Sequence, residues 1–319
     1  MMKISTFSKM INPVYVLIAG AFGGAIPFFM YLWKFPVSTQ TQAQQFAHAP
    51  TFATWVFLLS ILFSAVTIII IPSWRIFSEL YSSVIKENRP WKVVSVLVIS
   101  AVIYILILIA ILSLSSSGRF VDLAQGDFAN ELDLRFDAVY IYSLLGFFPV
   151  MFCIIMIYYM AEIMSRDIGF IKDDKKETLI FIQEYLNYRN LLQVCLITAG
   201  IILSLNPIIT SAFLQIWKEI GVFTAETFPS QDVIIYGLIF TLLLILSYAP
   251  TYIALTNVGT KLRDAKCPLD IDALEDTMKN RKMLDNLLQT NIGITENLKN
   301  GIFTLSPLVT GLLASLLGI

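Results

Sequence analysis

Charged residues come in blocks along this chain, and between the blocks lie stretches free of Asp, Glu, Lys and Arg at 10–33, 35–74, 93–118, 138–161, 190–217, 233–260 and 300–319. A helix rises about 1.5 Å per residue and a bilayer core is about 30 Å thick, so roughly 20 apolar residues are enough to cross it. All of these stretches reach that length. The pattern predicts an all-α fold: a polytopic integral membrane helical bundle with six spans at about 11–33, 52–71, 93–114, 138–160, 191–214 and 233–256. The last apolar run, 302–319, has 18 residues interrupted by Pro307 and Gly311. It is a seventh span, a re-entrant segment or a helix packed into the bundle from one side.

The charge blocks orient the spans. Lys3 and Lys9 precede the first span, and that apolar run is too long for the roughly 7–15-residue core of a cleavable signal peptide, so it is read as an anchor. Of the 22 Lys and Arg, Lys34, Arg119, Arg135 and Lys218 lie in alternate connections, and the other 18 lie at the N-terminus, in the 72–92 and 162–189 connections and after 260. Positive residues stay in the cytoplasm, so the N-terminus and the tail are expected inside. Tyr31, Trp33, Trp55, Trp91, Tyr140, Tyr158, Tyr159 and Trp217 fall near span ends, where aromatic rings anchor at headgroup level.

Composition removes soluble alternatives. The chain of 319 residues is 57% hydrophobic and 14% charged, against roughly 45–50% and about 25% for a soluble domain. One histidine, His48, excludes a His-rich zinc site, an H-E-x-x-H helix and a histidine relay. Cys153, Cys195 and Cys267 are widely spaced and read as free thiols. No phosphate-binding loop or nucleophile elbow is present, and the six spans as bounded contain no Asp, Glu, Lys, Arg or His, the usual marks of proton relays, ion coupling and voltage sensing. No catalytic residue, metal or cofactor is expected, and nothing points to nucleic acid.

Three units follow: a six-helix transmembrane domain at 1–260, a cytoplasmic amphipathic helical tail at 261–300, and a hydrophobic membrane-inserted segment at 301–319. The 178–190 stretch, without Pro or Gly, predicts one helix continuing into the fifth span. In the tail, Asp270 or Asp272 suits the N-cap of a helix starting near Ala273, with Glu275 and Asp276 favoured by the dipole of its first turn.

Polar residues inside the spans are the candidates for function. Ser60, Ser64 and Thr67 share one helical face, and Asn206, Pro207, Thr210 and Ser211 combine an amide, a helix break and two hydroxyls. Pro250 marks a second break. Each set suits either a polar passage and its gate or interhelical packing. Gly20 and Gly24 form a G-x-x-x-G face for close helix contact. Asp122, Asp127, Glu131, Asp133 and Asp137 against Arg119 and Arg135 leave the third connection at net −3, an acidic vestibule if several copies surround an axis. Arg89, Lys92, Arg189, Lys261, Arg263, Lys266, Arg281 and Lys282 form a basic collar suited to lipid headgroups, an anionic cytoplasmic ligand or a partner protein. The acidic residues Asp167, Asp173, Asp174 and Glu177 are interleaved with bases and read as a solvated loop.

A compact multi-span chain with small cytoplasmic elements resembles, in architecture only, the bacterial membrane effectors that permeabilise the inner membrane during phage defence. Three features together, no ionisable coupling residue, kinked spans with hydroxyl or amide groups and no enzymatic apparatus, lead to the expectation of a homo-oligomeric pore or ion channel in a bacterial inner membrane, gated from the cytoplasmic side. The alternatives are a non-conducting scaffold, assembly subunit or immunity-type protein that binds a partner, and a facilitative transporter or lipid-handling enzyme.

Overall fold

The computed structural model describes residues 13–32, 40–87, 90–116, 127–170, 175–221, 230–269, 274–290 and 294–317. In chain order the helices are α1 (Pro13–Leu32), α2 (Gln40–His48), α3 (Phe52–Glu87), α4 (Pro90–Ser116), α5 (Asp127–Asp167), α6 (Lys175–Glu219), α7 (Ser230–Lys266), α8 (Leu274–Leu288) and α9 (Ile294–Leu317), with a 3₁₀ turn at Ile168–Phe170. Among the described residues there is no strand.

Several helices outrun their apolar segments. Helix α5 begins at Asp127, well before the span expected from 138, because 127–137 holds neither Pro nor Gly to stop it. Helix α6 runs 45 residues from Lys175 without a break, as the 178–190 stretch predicts. Helix α7 continues to Lys266 and stops before Pro268, whose ring disfavours helical backbone at the preceding residue. Pro90 opens α4 as its first residue, where the missing N–H is harmless.

Helices α3, α5, α6 and α7 are each long and apolar enough to cross a membrane, and shorter apolar stretches lie at Pro13–Pro27, Val93–Leu106 and Gly301–Ser315. The chain is therefore consistent with an integral membrane protein. Its exterior agrees: Leu17, Phe22, Leu246 and Ile253 are largely exposed, an apolar coat suited to lipid.

Helix α6 lies at the centre and touches α3, α5, α7, α8 and α9. Helix α1 packs on α3, and α4 is held more loosely against α5 and α3. Contact registers give the directions. Phe63 stacks on Tyr142 and Cys153 donates to the Ser73 carbonyl, so α3 and α5 run parallel. Gly200 abuts Phe303 while Ser211 donates to the Ala314 carbonyl, so α9 runs parallel to α6 along much of its length. The last segment is thus seated in the groove between α6 and α7, alongside the bundle rather than beneath it.

At one end α2 inserts Phe46 among Phe52, Trp55, Phe213 and Trp217, with ring centroids 5.4–6.1 Å apart where they pair. Trp55 and Trp217 are buried in this cluster instead of facing headgroups, whereas Trp91 is exposed as an anchor should be. The Thr51 backbone N–H donates to Glu219 at 3.1 Å, placing a carboxylate at the N-terminus of α3 where the helix dipole favours it.

Candidate functional site

The polar residues of the bundle gather in three places. The first is the contact of α1, α3 and α5. Ser60 donates to the Val56 carbonyl, Ser64 to the Gly20 carbonyl at 2.8 Å, and Thr67 to the Phe63 carbonyl. Thr67 also shares a 2.6 Å bond with the Tyr142 hydroxyl, and Tyr15 donates to the Thr67 carbonyl. Every hydroxyl of this stripe is therefore used within or between helices. The closest approach falls at Gly23 rather than at Gly20 or Gly24: a Cβ there would lie 2.7 Å from the Phe63 carbonyl oxygen and 2.8 Å from Ser64 Cα.

The second place is the interior face of α6. Pro207 removes one helical N–H and its ring crowds the preceding turn. Beside it, Asn206 donates its side-chain amide to the Ile202 carbonyl at 2.9 Å, while its Oδ1 accepts from Ser143 of α5 at 2.9 Å. Thr210 donates to the Asn206 carbonyl. Around the helix, facing α9, Ser204 bonds Ser306 at 2.8 Å and Ser211 bonds the Ala314 carbonyl at 3.1 Å. Thr241 of α7 accepts the Leu308 N–H at 3.1 Å, just past Pro307, where α9's own ladder is interrupted. Gly200, Gly237 and Gly311 make this seating possible; a Cβ on Gly237 would stand 2.5 Å from the Pro307 carbonyl oxygen. One turn beyond Ser211, Gln215 Oε1 is buried and accepts no hydrogen bond from the described residues. A line of hydroxyls, each bonded to α9, thus runs beneath that helix.

The third place is the basic end, where α8 docks across α6 and α7. Arg263 of α7 grips Asp285 of α8 with two bonds from Nη1, at 3.0 and 3.2 Å, and also pairs with Asp264. Arg281 bonds Asp264 and donates to the Cys267 carbonyl at 2.8 Å. Buried Arg189 donates to the Tyr185 hydroxyl at 3.0 Å and reaches the Leu288 carbonyl at 3.4 Å; Tyr185 donates to the same carbonyl. Leu288 ends α8, so a fixed cation sits at the negative pole of that helix. The chain then turns through Gln289, at φ 53°, and Thr290 N–H returns to the Asp285 carbonyl at 3.0 Å.

The structure therefore divides the basic collar. Arg189, Arg263 and Arg281 hold α8, Lys261 donates to Ser165 at 2.7 Å, and Lys282 is exposed on α8. Lys266 is half-buried at the end of α7, and Pro250 is exposed on the same helix. Arg89 and Asp122 lie outside the described residues, as do the side chains of Lys92, Asp127, Glu131, Asp133 and Asp137 and the proposed caps Asp270 and Asp272. Ser143, Ser204, Thr241 and Ser306 were not singled out from sequence; each is an isolated hydroxyl, and only contacts between distant helices reveal its role. Among the described residues no group of three His, Cys, Asp or Glu is placed to hold a metal. The cysteines are free, with Cys153 and Cys195 buried. No protein-family model, curated protein or solved structure matches the chain.

Proposed function

We propose that this chain is a membrane pore or channel controlled from the cytoplasmic side, with α9 as the movable cover and α8 as its handle. The observation that carries this reading is the hydroxyl-lined seam under α9. Ser204, Ser211 and Thr241 lie along it, covered by a helix seated through small-residue contacts and hydrogen bonds. In sequence α9 follows directly on α8, whose dock at Arg263, Asp285, Arg189 and Leu288 sets where α9 starts.

In the closed arrangement the polar groups of α6, α7 and α9 bond to one another, which offsets their burial in an apolar surround. Releasing α8 shifts α9, and the separated hydroxyls then hydrate to line a passage. The outer faces of the bundle are apolar, so the route lies within each bundle, and additional copies in a homo-oligomer each carry their own. The resemblance to membrane effectors of phage defence fits such a latch, sprung by a cytoplasmic anionic ligand or partner protein at the basic end, in a bacterial inner membrane.

The test is ion flux from dye-loaded liposomes. Wild-type protein is expected to leak little, whereas Asp285→Asn and Arg263→Gln raise flux at least severalfold. Equal, background-level flux from all three proteins, each confirmed as inserted and folded, overturns the reading.

A further inference from the structure

The α5–α7 contact carries a second feature that conduction does not use. The two helices run parallel, tied by Thr251 donating to the Ile154 carbonyl at 3.2 Å. On one side of this tie lies an apolar cleft of about 350 Å³, walled by Ile103 of α4, Met151 and Ile155 of α5 and Leu246 of α7. Of its polar groups, Tyr104 and Ser247 share a 3.0 Å bond, and Ser247 and Thr251 each reach a backbone carbonyl. One turn further toward the basic end lies a cleft of about 600 Å³ lined by Tyr159, Glu162 and Arg166 of α5 and Asn257 and Lys261 of α7. Tyr158 lines the first and its neighbour Tyr159 the second, so the two clefts lie end to end along the same pair of helices, the first apolar and the second carrying charge.

We infer that the two clefts together bind one phospholipid whose headgroup carries both a phosphate and a primary ammonium, that is, a phosphatidylethanolamine. The apolar cleft faces the hydrocarbon and takes an acyl chain, a requirement that a free anion does not have. Lys261 spends one of its three N–H donors on Ser165 and stands with Arg166 where the phosphate arrives. Glu162, exposed between them, meets the ammonium. The opposite charges on the second cleft thus match the two charges of the headgroup. Looseness of α4, the outer wall, lets a chain enter sideways from the bilayer.

This inference does not depend on the conduction reading. The test is native mass spectrometry of the full chain in mild detergent, with phosphatidylethanolamine, phosphatidylglycerol, phosphatidylcholine or inorganic phosphate added. One retained phosphatidylethanolamine per chain is expected, in preference to the other three. Lys261→Gln combined with Arg166→Gln should lower its retention about tenfold. Glu162→Gln should erase only the preference over phosphatidylglycerol, and Ile155→Trp should block the chain cleft whatever the headgroup. Retention unchanged across these variants overturns the inference, as does phosphatidylglycerol, phosphatidylcholine or phosphate binding the wild type as well as phosphatidylethanolamine. Because Glu162 is exposed, its variant folds irrespective of the core and alone decides the headgroup assignment.

Discussion

At the scale of single residues, the same composition serves different ends according to what each atom meets. Three glycines stand close together in α1, yet a Cβ at Gly20 would find only Ile68 Cδ1 at 3.6 Å, while one at Gly23 would collide with the backbone of α3. Gly20→Ala is therefore expected to leave the detergent melting temperature within a degree or two. Gly23→Val should destabilise by about 1–3 kcal/mol, the usual result of forcing atoms into a full contact; equal melting temperatures for the two would refute the close approach. Asn206 supports a second prediction. Asn206→Leu strips a partner from Ser143 and from the Ile202 carbonyl and should destabilise by about 1–3 kcal/mol. Adding Ser143→Ala should cost less than its own single effect, because the hydroxyl it removes has already lost Asn206 and keeps only the Val139 carbonyl. A double-mutant cycle with no coupling would show that the bond contributes nothing.

At the scale of elements, the sequence is most readable where lipid is the solvent. Long uncharged runs announce helices α3, α5, α6 and α7 because backbone groups in hydrocarbon must bond within their own segment. The first residues of α8 follow from Glu275 and Asp276 and the dipole, again a local rule. What cannot be read locally is partnership. Arg189, Arg263 and Arg281 look like any positive-inside residues, and only the packed structure brings Asp285 and the end of α8 to them. Ser60, Ser64 and Thr67 share a face by spacing alone, but whether that face meets water or a glycine-rich neighbour depends on α1. The dock makes its own prediction: a charge-assisted bond is worth about 1.5–3 kcal/mol. Asp285→Asn should then speed amide exchange across Leu274–Leu288 by one to two orders of magnitude while α6 stays protected. Unchanged exchange in α8 would mean that its seat does not rest on the Arg263 pair.

At the scale of the whole molecule, the arrangement turns its hydroxyls inward and its hydrocarbon outward, so any passage has to open inside the bundle, and α9, which covers hydroxyls of α6 and α7, follows the latched α8 in the chain. Pinning the cover tests whether the passage opens there. Ser204 and Ser306 face each other with hydroxyls 2.8 Å apart, close enough for a cysteine pair at those positions to form a disulfide. In an Asp285→Asn background, the Ser204→Cys, Ser306→Cys chain should leak when reduced, fall to wild-type flux when oxidised, and recover on reduction. The single Ser204→Cys variant in the same background should ignore the redox state, which separates the engineered bridge from Cys153 and Cys195 nearby. Flux that persists with the bridge closed would place the route somewhere other than beneath α9, and with it the function of the hydroxyl seam.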